Sequence, residues 1–391
     1  MSRLQVPAPL VLFAWFTLSW LLSPLRKFPG PFLAGYTNLW RIAQVRTGRY
    51  HLNIKKLHEK YGPIVRIGPN LLDLDYPEMN RVIYSTDGKW TKTEFYKNNS
   101  AMVNGVQTFT IFSELDQGQH ARMKRPLAKF ISLGHVLALE PHMDSVVNEL
   151  IGYIDTRFVK PKKTCNLGEW IAFYAWDLIG SVTFSKQMGY MEAEKDFDHT
   201  LAIADKALDY FAVVGQMPWL DYWLDKNPVV RVGPPNLTNV MRIALESLIA
   251  RLQGKDANYG PKAPDYLQHY IGTKETHPDL VDDGMIIGFL LVNLLAGVDT
   301  TAITIRALFD FVLRRPDVYR KLVKEIRGAR FDVDKSAPYS AAPTRGTFAA
   351  TPDDPIKLYE YPTEVGDMLP AGASFRPPPR SVSITVAYLQ C

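Results

Sequence analysis

Cysteine is nearly missing from this sequence: its 391 residues contain only Cys165 and Cys391. Two thiols cannot build a disulfide framework, and such scarcity points to a reducing compartment. No Cys-x-x-Cys or His-x-x-x-His spacing occurs, which removes the usual zinc sites. Excess charge is scarce as well. A net +5 at pH 7 is too small to argue for nucleic acid and suits an anionic membrane surface or an acidic partner. No internal repeat is present. Apolar material, by contrast, is ample: 47% hydrophobic and 12% aromatic residues allow a large packed core.

From Val6 to Leu22 the chain is largely apolar and uncharged, at the short end of what spans a bilayer. Arg3 precedes it, while Arg26 and Lys27 follow at once, so a single pass leaves the body cytosolic. No small-x-small site closes the stretch, which argues against a cleaved leader. Residues 1–24 are therefore expected to form a transmembrane anchor. Residues 25–35, with Pro29-Gly30-Pro31, are expected to form a proline-rich hinge where a helix cannot continue. Two sequons, at Asn98 and Asn236, are expected to go unused in that orientation.

Two short strands are predicted at Ile64–Ile67 and Leu71–Asp75, and helices near 52–61, 76–85, 118–131, 136–157, 167–184, 195–215, 236–252 and 281–314. The fold class is thus mainly α with a small β portion. The character changes near Gly328. Residues 328–391 hold nine of the 28 prolines and no lasting period outside Val382–Leu389, so a largely disordered tail is expected.

The most informative stretch is Met285–Leu295 running into Ala296-Gly297-Val298-Asp299-Thr300-Thr301. A helix apolar nearly all round should cross the middle of a large domain. A glycine inside it costs about 1 kcal/mol relative to alanine, and a neighbouring carboxylate needs water or partners. Ala296 and Thr300 lie four apart, as do Gly297 and Thr301, so small and hydroxylic residues share a face that can admit something flat. A threonine hydroxyl can bond the carbonyl one turn back. Asp299 with Thr300 then forms an acid–alcohol pair able to relay protons into an apolar cavity.

This segment resembles the oxygen-activation segment of the cytochrome P-450 central helix. Supporting stretches are the Pro29-Gly30-Pro31-Phe32 hinge, Tyr61-Gly62-Pro63, the helix from Asn166 to Ser185, and Arg314–Ile326, which looks like the next helix. Together they are similar to microsomal fungal members of secondary metabolism over about residues 5–327. The resemblance implies a heme cofactor, with Asp299 and Thr300 catalytic and Ala296 and Gly297 against the heme. It implies His120 and the following basic residues at a heme propionate, with Lys124 standing where the family has arginine and Arg125 adjacent. It further implies an endoplasmic-reticulum location, a lipophilic substrate, and electrons from NADPH only through a flavoprotein reductase.

The family also requires a Glu-x-x-Arg helix and then a Phe-x-x-Gly-x-Arg-x-Cys-x-Gly loop whose thiolate binds iron. Neither follows Ile326. Cys165 precedes the central helix, and the residues before Cys391 lack the loop's Gly and Arg. The expectation is an incomplete P-450 fold, with residues 36–327 as a partial catalytic domain that is inactive as written.

Overall fold

The computed structural model describes residues 16–18, 20–85, 90–103, 105–234, 238–260, 264–328 and 383–385. The α-helices of six or more residues among the described residues are α1 (Leu39–Arg46), α2 (Tyr50–Tyr61), α3 (Gln117–Lys124), α4 (Glu140–Ile154), α5 (Leu167–Phe184), α6 (Thr200–Val214), α7 (Trp219–Leu224), α8 (Thr238–Leu252), α9 (Tyr266–Thr276), α10 (Asp283–Arg314) and α11 (Pro316–Gly328). The strands are β1 (Ile64–Gly68), β2 (Leu71–Leu74), β3 (Ala101–Val103), β4 (Val106–Thr108) and β5 (Ser383–Thr385). The expected mainly α class with a small β portion is what the protein shows. Two compact units divide it: residues 1–121, 203–236 and 375–391, and residues 122–202 and 237–374.

In the first unit β1 and β2 pair antiparallel, Ile64 opposite Leu74, with an irregularity between Arg66 and Gly68. β5 adds to β2 in parallel, Leu71 opposite Ser383. All four residues of β2 are buried. Alternation is absent because both faces are covered. Ile54, Val65, Ile67 and Leu71 pack on one side with Trp40 and Tyr61, and Leu25, Leu72 and Leu74 form a second cluster with Phe28 and Ile83.

The segment expected to form a hinge lies on this sheet. The Arg66 amide donates to Pro29 O at 2.7 Å, and the buried Arg66 guanidinium donates to Ser23 Oγ, Gly35 O and Pro69 O at 3.0, 3.2 and 2.7 Å. A Cβ on Gly30 would fall 2.1 Å from Arg66 O. Backbone contact, more than flexibility, explains the glycine between the prolines. Beneath, His58 Nε2 meets Asp73 Oδ1 at 3.0 Å and Nδ1 meets Gly62 O at 2.9 Å, both side chains buried. Two acceptors facing one ring suit the imidazolium.

The second unit is built on α5, of which 13 of 18 residues are buried. Its Asp177 is fully buried and accepts the amides of Gly189, Tyr190 and Met191 at 2.7, 3.1 and 2.9 Å, which pins the chain after the helix. Asp265 ties three elements together. It caps α9 through the Gln268 amide at 2.9 Å, accepts both terminal nitrogens of Arg251 at 3.0 and 2.7 Å, and accepts Ser185 Oγ at 2.7 Å.

Several expected boundaries move. The helix expected at 76–85 shrinks to Pro77–Met79 and Asn80–Ile83. That expected at 118–131 stops at Lys124, because Pro126 lacks an amide donor. The helix expected at 136–157 begins at Glu140, with Pro141 in its first turn. Unforeseen were α1, α7, α9 and the β3–β4 hairpin. The signals were present, Asp265-x-x-Gln268 as a capping box and Asn104-Gly105 as a hairpin turn. Most of the expected anchor and, β5 apart, the expected tail lie outside the described residues. Among the described residues one helix, α10, is long and apolar enough to cross a membrane.

Two outcomes are expected. The pKa of His58 is raised: burial alone lowers it, but the bonds to Asp73 and Gly62 O outweigh burial. The pair's contribution is therefore full below the ordinary value of 6.5 and is lost as pH rises through the higher folded value. Asp73→Asn should remove that alkaline loss and cost ~3–5 kcal/mol, as breaking a buried pair does. Urea unfolding at pH 6 and pH 9 checks both. Gly30→Ala should cost about 1–3 kcal/mol by overpacking against Arg66 O, read as a lower urea midpoint.

Candidate active site on the central helix

α10 is capped by Asp282, whose side chain accepts the Met285 amide at 2.7 Å. Ile286, Phe289, Leu290, Leu294, Val298 and Ala302 are buried. Their spacing of three or four residues makes one stripe, and α5 is the helix packed most closely on α10. Within that seam Asn293 Nδ2 donates to Thr183 Oγ1 at 2.8 Å. Gly297 belongs to the seam too: a Cβ there would sit 2.8 Å from Ile179 Cδ1. The sequence reading gave this glycine to something flat lying against the helix. In the structure the space is taken by α5, so helix packing accounts for it.

The neighbouring face is open. Ala296 and Thr300 are both exposed, and Asp299 is half-buried. Thr300 Oγ1 donates to Ala296 O at 2.7 Å, and Thr304 Oγ1 repeats the bond to Thr300 O at 2.8 Å. Each hydroxyl is thereby parked on its own helix and can turn outward by a rotation about χ1. Beyond this polar step Ile303, Leu308, Phe309, Phe311 and Leu313 are exposed. The helix is thus covered by α5 on one side and presents small, hydroxylic and then apolar residues on the other.

The basic residues are less gathered. His120 is half-buried in α3, Lys124 ends that helix, and Arg125 opens the short turn Arg125–Leu127. Lys124 and Arg125 are exposed, and neither has an acidic partner among the described residues. The division between units falls after Ala121, inside α3. Cys165 lies in the loop before α5, half-buried, and burial raises its thiol pKa above the ordinary 9.0. It is a neutral thiol at neutral pH.

The family model for Cytochrome P450 matches residues 29–342, most of the chain. The chain belongs to the cytochrome P450 family. Its relatives include the cytochrome P450 monooxygenase cfoH of Aspergillus candidus, 35% identical over 369 residues, which are 92% of this chain and 68% of that protein. Another is cicH of Emericella nidulans, 33% identical over 311 residues, 78% of this chain and 61% of that one. A third, from Aspergillus terreus, is 31% identical over 319 residues, 80% and 64%. This P450 chain therefore spans between about three fifths and two thirds of the relatives' lengths.

Heme is the family's cofactor, and the residues present fit it unevenly. The exposed Ala296–Thr300 notch suits the face where oxygen is handled, and the exposed ammonium and guanidinium of Lys124 and Arg125, with no acidic partner among the described residues, suit carboxylates. No described residue suits the axial thiolate, since Cys165 is a buried-shifted thiol ahead of α5. Sequence reasoning missed Asn293 and Arg306, whose Nε donates to Gly168 O at 2.7 Å and holds α10 to the start of α5. A lone asparagine in an apolar run was the available signal for the first.

Thr300→Val should leave urea stability within about 0.5 kcal/mol, as for exposed positions generally. Asn293→Leu, by contrast, strands Thr183 in a buried seam and should cost about 1–3 kcal/mol. A midpoint loss for Thr300→Val equal to that for Asn293→Leu would contradict the open-face assignment.

Proposed function

We propose that these 391 residues carry the oxygen-side half of a P450 monooxygenase site and do not activate dioxygen by themselves. The observation that carries this reading is the pairing of an open Ala296–Thr300 notch with the absence from the sequence of any Phe-x-x-Gly-x-Arg-x-Cys-x-Gly loop. Heme bound through a thiolate supplies the oxidising chemistry in this family. The chain's own residues would do the rest. Thr300, released from Ala296 O, would hold a water in the notch, and Asp299 would supply a proton to it. The exposed apolar residues beyond would exclude water.

A second reading follows from the relatives, each described as a cytochrome P450 monooxygenase. If the functional polypeptide also contains the thiolate loop, it hydroxylates a lipophilic natural-product intermediate of fungal secondary metabolism. NADPH then serves through a flavoprotein reductase, at an endoplasmic-reticulum membrane with the body cytosolic. A heme-free, membrane-tethered binding protein is the remaining possibility in a different class. The burial of Asn98, only 1% exposed, agrees with an unglycosylated first sequon; Asn236 lies outside the described residues.

The test is heme content and oxygen consumption of the full chain purified from membranes. Substoichiometric heme by pyridine hemochromogen is expected, with no NADPH-dependent oxygen uptake when a P450 reductase is added. Uptake that Cys165→Ser abolishes would overturn the reading and make that cysteine a ligand.

A further inference from the structure

The segment between α3 and α4 is fastened to α9 by three rings in contact. His269, half-buried on α9, lies against Phe130 with ring centres 4.5 Å apart and planes 20° apart. His135, in the short helix Leu133–Leu137, meets both rings edge-on, 5.7 Å from His269 and 5.4 Å from Phe130. Its Nδ1 lies 3.2 Å from Ser132 Oγ, a bond that orients the ring. The turn Arg125–Leu127 packs on α9 as well, with Pro126 and Leu127 buried. All of these residues belong to the second unit.

Two imidazoles in contact resist carrying charge together. Lys129 stands close to His269, and its ammonium lies over the Phe130 ring at 5.7 Å. The attraction that an aromatic face offers a cation is therefore already shared. The carboxylate near His269 is Asp265, at the start of the same helix, and Arg251 of α8 takes both its oxygens at 3.0 and 2.7 Å. The other elements packed on α9 present Arg125 from the turn, the neutral Ser185 of α5 on Asp265, and Asp283 of α10 paired with Lys274 at 2.8 Å. Burial and then His135 hold the His269 imidazole below its ordinary 6.5, with Lys129 adding to them and Asp265 opposing. The docked ring is thus neutral at neutral pH, whereas a released ring takes its proton at the ordinary value. Docking is at full strength above 6.5 and weakens as pH falls below it toward the lower docked value.

We propose that the His135–Phe130–His269 contact is an acid-sensitive latch, closed at neutral pH and released in mildly acidic solution, which frees residues 125–137 from α9. Lys124 and Arg125 stand at the head of that segment, so release also loosens the two cations expected to meet heme carboxylates. That consequence rests on the proposed site; the latch itself does not.

The test is amide hydrogen exchange by mass spectrometry on the full chain in detergent micelles at pH 7.5 and pH 5.5, corrected for the intrinsic pH dependence of exchange. Protection within 125–137 is expected to fall roughly tenfold at the lower pH, the factor for one proton taken up at the ordinary histidine value about one pH unit above it. His269→Phe keeps a flat ring on Phe130 and should show equal protection at both pH values, while His135→Phe should reduce the fall. A wild-type chain without the fall, or a fall unchanged in His269→Phe, would overturn the proposal. So would a fall shared by α5 and α10, which would mean acid unfolding of the whole unit. If a variant does not fold, the wild-type profile decides alone, by whether the loss is confined to 125–137 and α9. No heme is added, so failure of the latch and failure of the oxygen-side reading are distinguished.

Discussion

The seam between the central helix and α5 is the contact on which the second unit depends. One apolar stripe from Ile286 to Ala302 is buried on the central helix, and most of α5 is buried beside it. Burying a side chain of that size contributes about 1.5–3 kcal/mol, so half a dozen of them outweigh any single polar contact in the unit. The seam also fixes rotation. With Gly297 against Ile179 and Asn293 on Thr183, Ala296 and Thr300 are turned outward. The chemistry expected of the notch is therefore set by packing on the far side of the same helix.

Buried charges then fasten what the apolar seam leaves loose. Asp177 holds three consecutive amides after α5, and Asp265 joins α9, Arg251 and Ser185. In the first unit His58 and Asp73 do the same beneath the sheet. Asp177 and Asp265 are taken out of water, which is unfavourable alone, and recover that cost through several hydrogen bonds of good length, whereas Asp73 relies on its bond to His58. Because such groups accept only one arrangement, they hold loops in register where hydrophobic contact is indifferent to small shifts.

Much of this was legible before the structure. The α5 boundaries, Leu167–Phe184, coincide with those read from periodicity, and α10 begins within two residues of its expected start. Long apolar elements announce themselves. Short ones do not: α1 has only eight residues with Arg41 alone buried, and α9 has little apolar period and is held by a buried cap. Ala296 and Thr300 share an exposed face, as their spacing of four in sequence predicts. Spacing tells which residues share a face and not which neighbour fills it: Gly297 lies against Ile179. The basic trio is a shared stretch of chain whose pairing no sequence rule could supply.

Membership of the P450 family makes the missing thiolate the central question, because the seam, the notch and the hinge are all consistent with a site that needs one. The most direct measurement is the reduced, carbon-monoxide-bound absorption spectrum of the full chain in membranes. The account predicts no thiolate-type Soret band with the protein demonstrably present. A band of that type would contradict it and would mean that Cys165 or Cys391 binds iron.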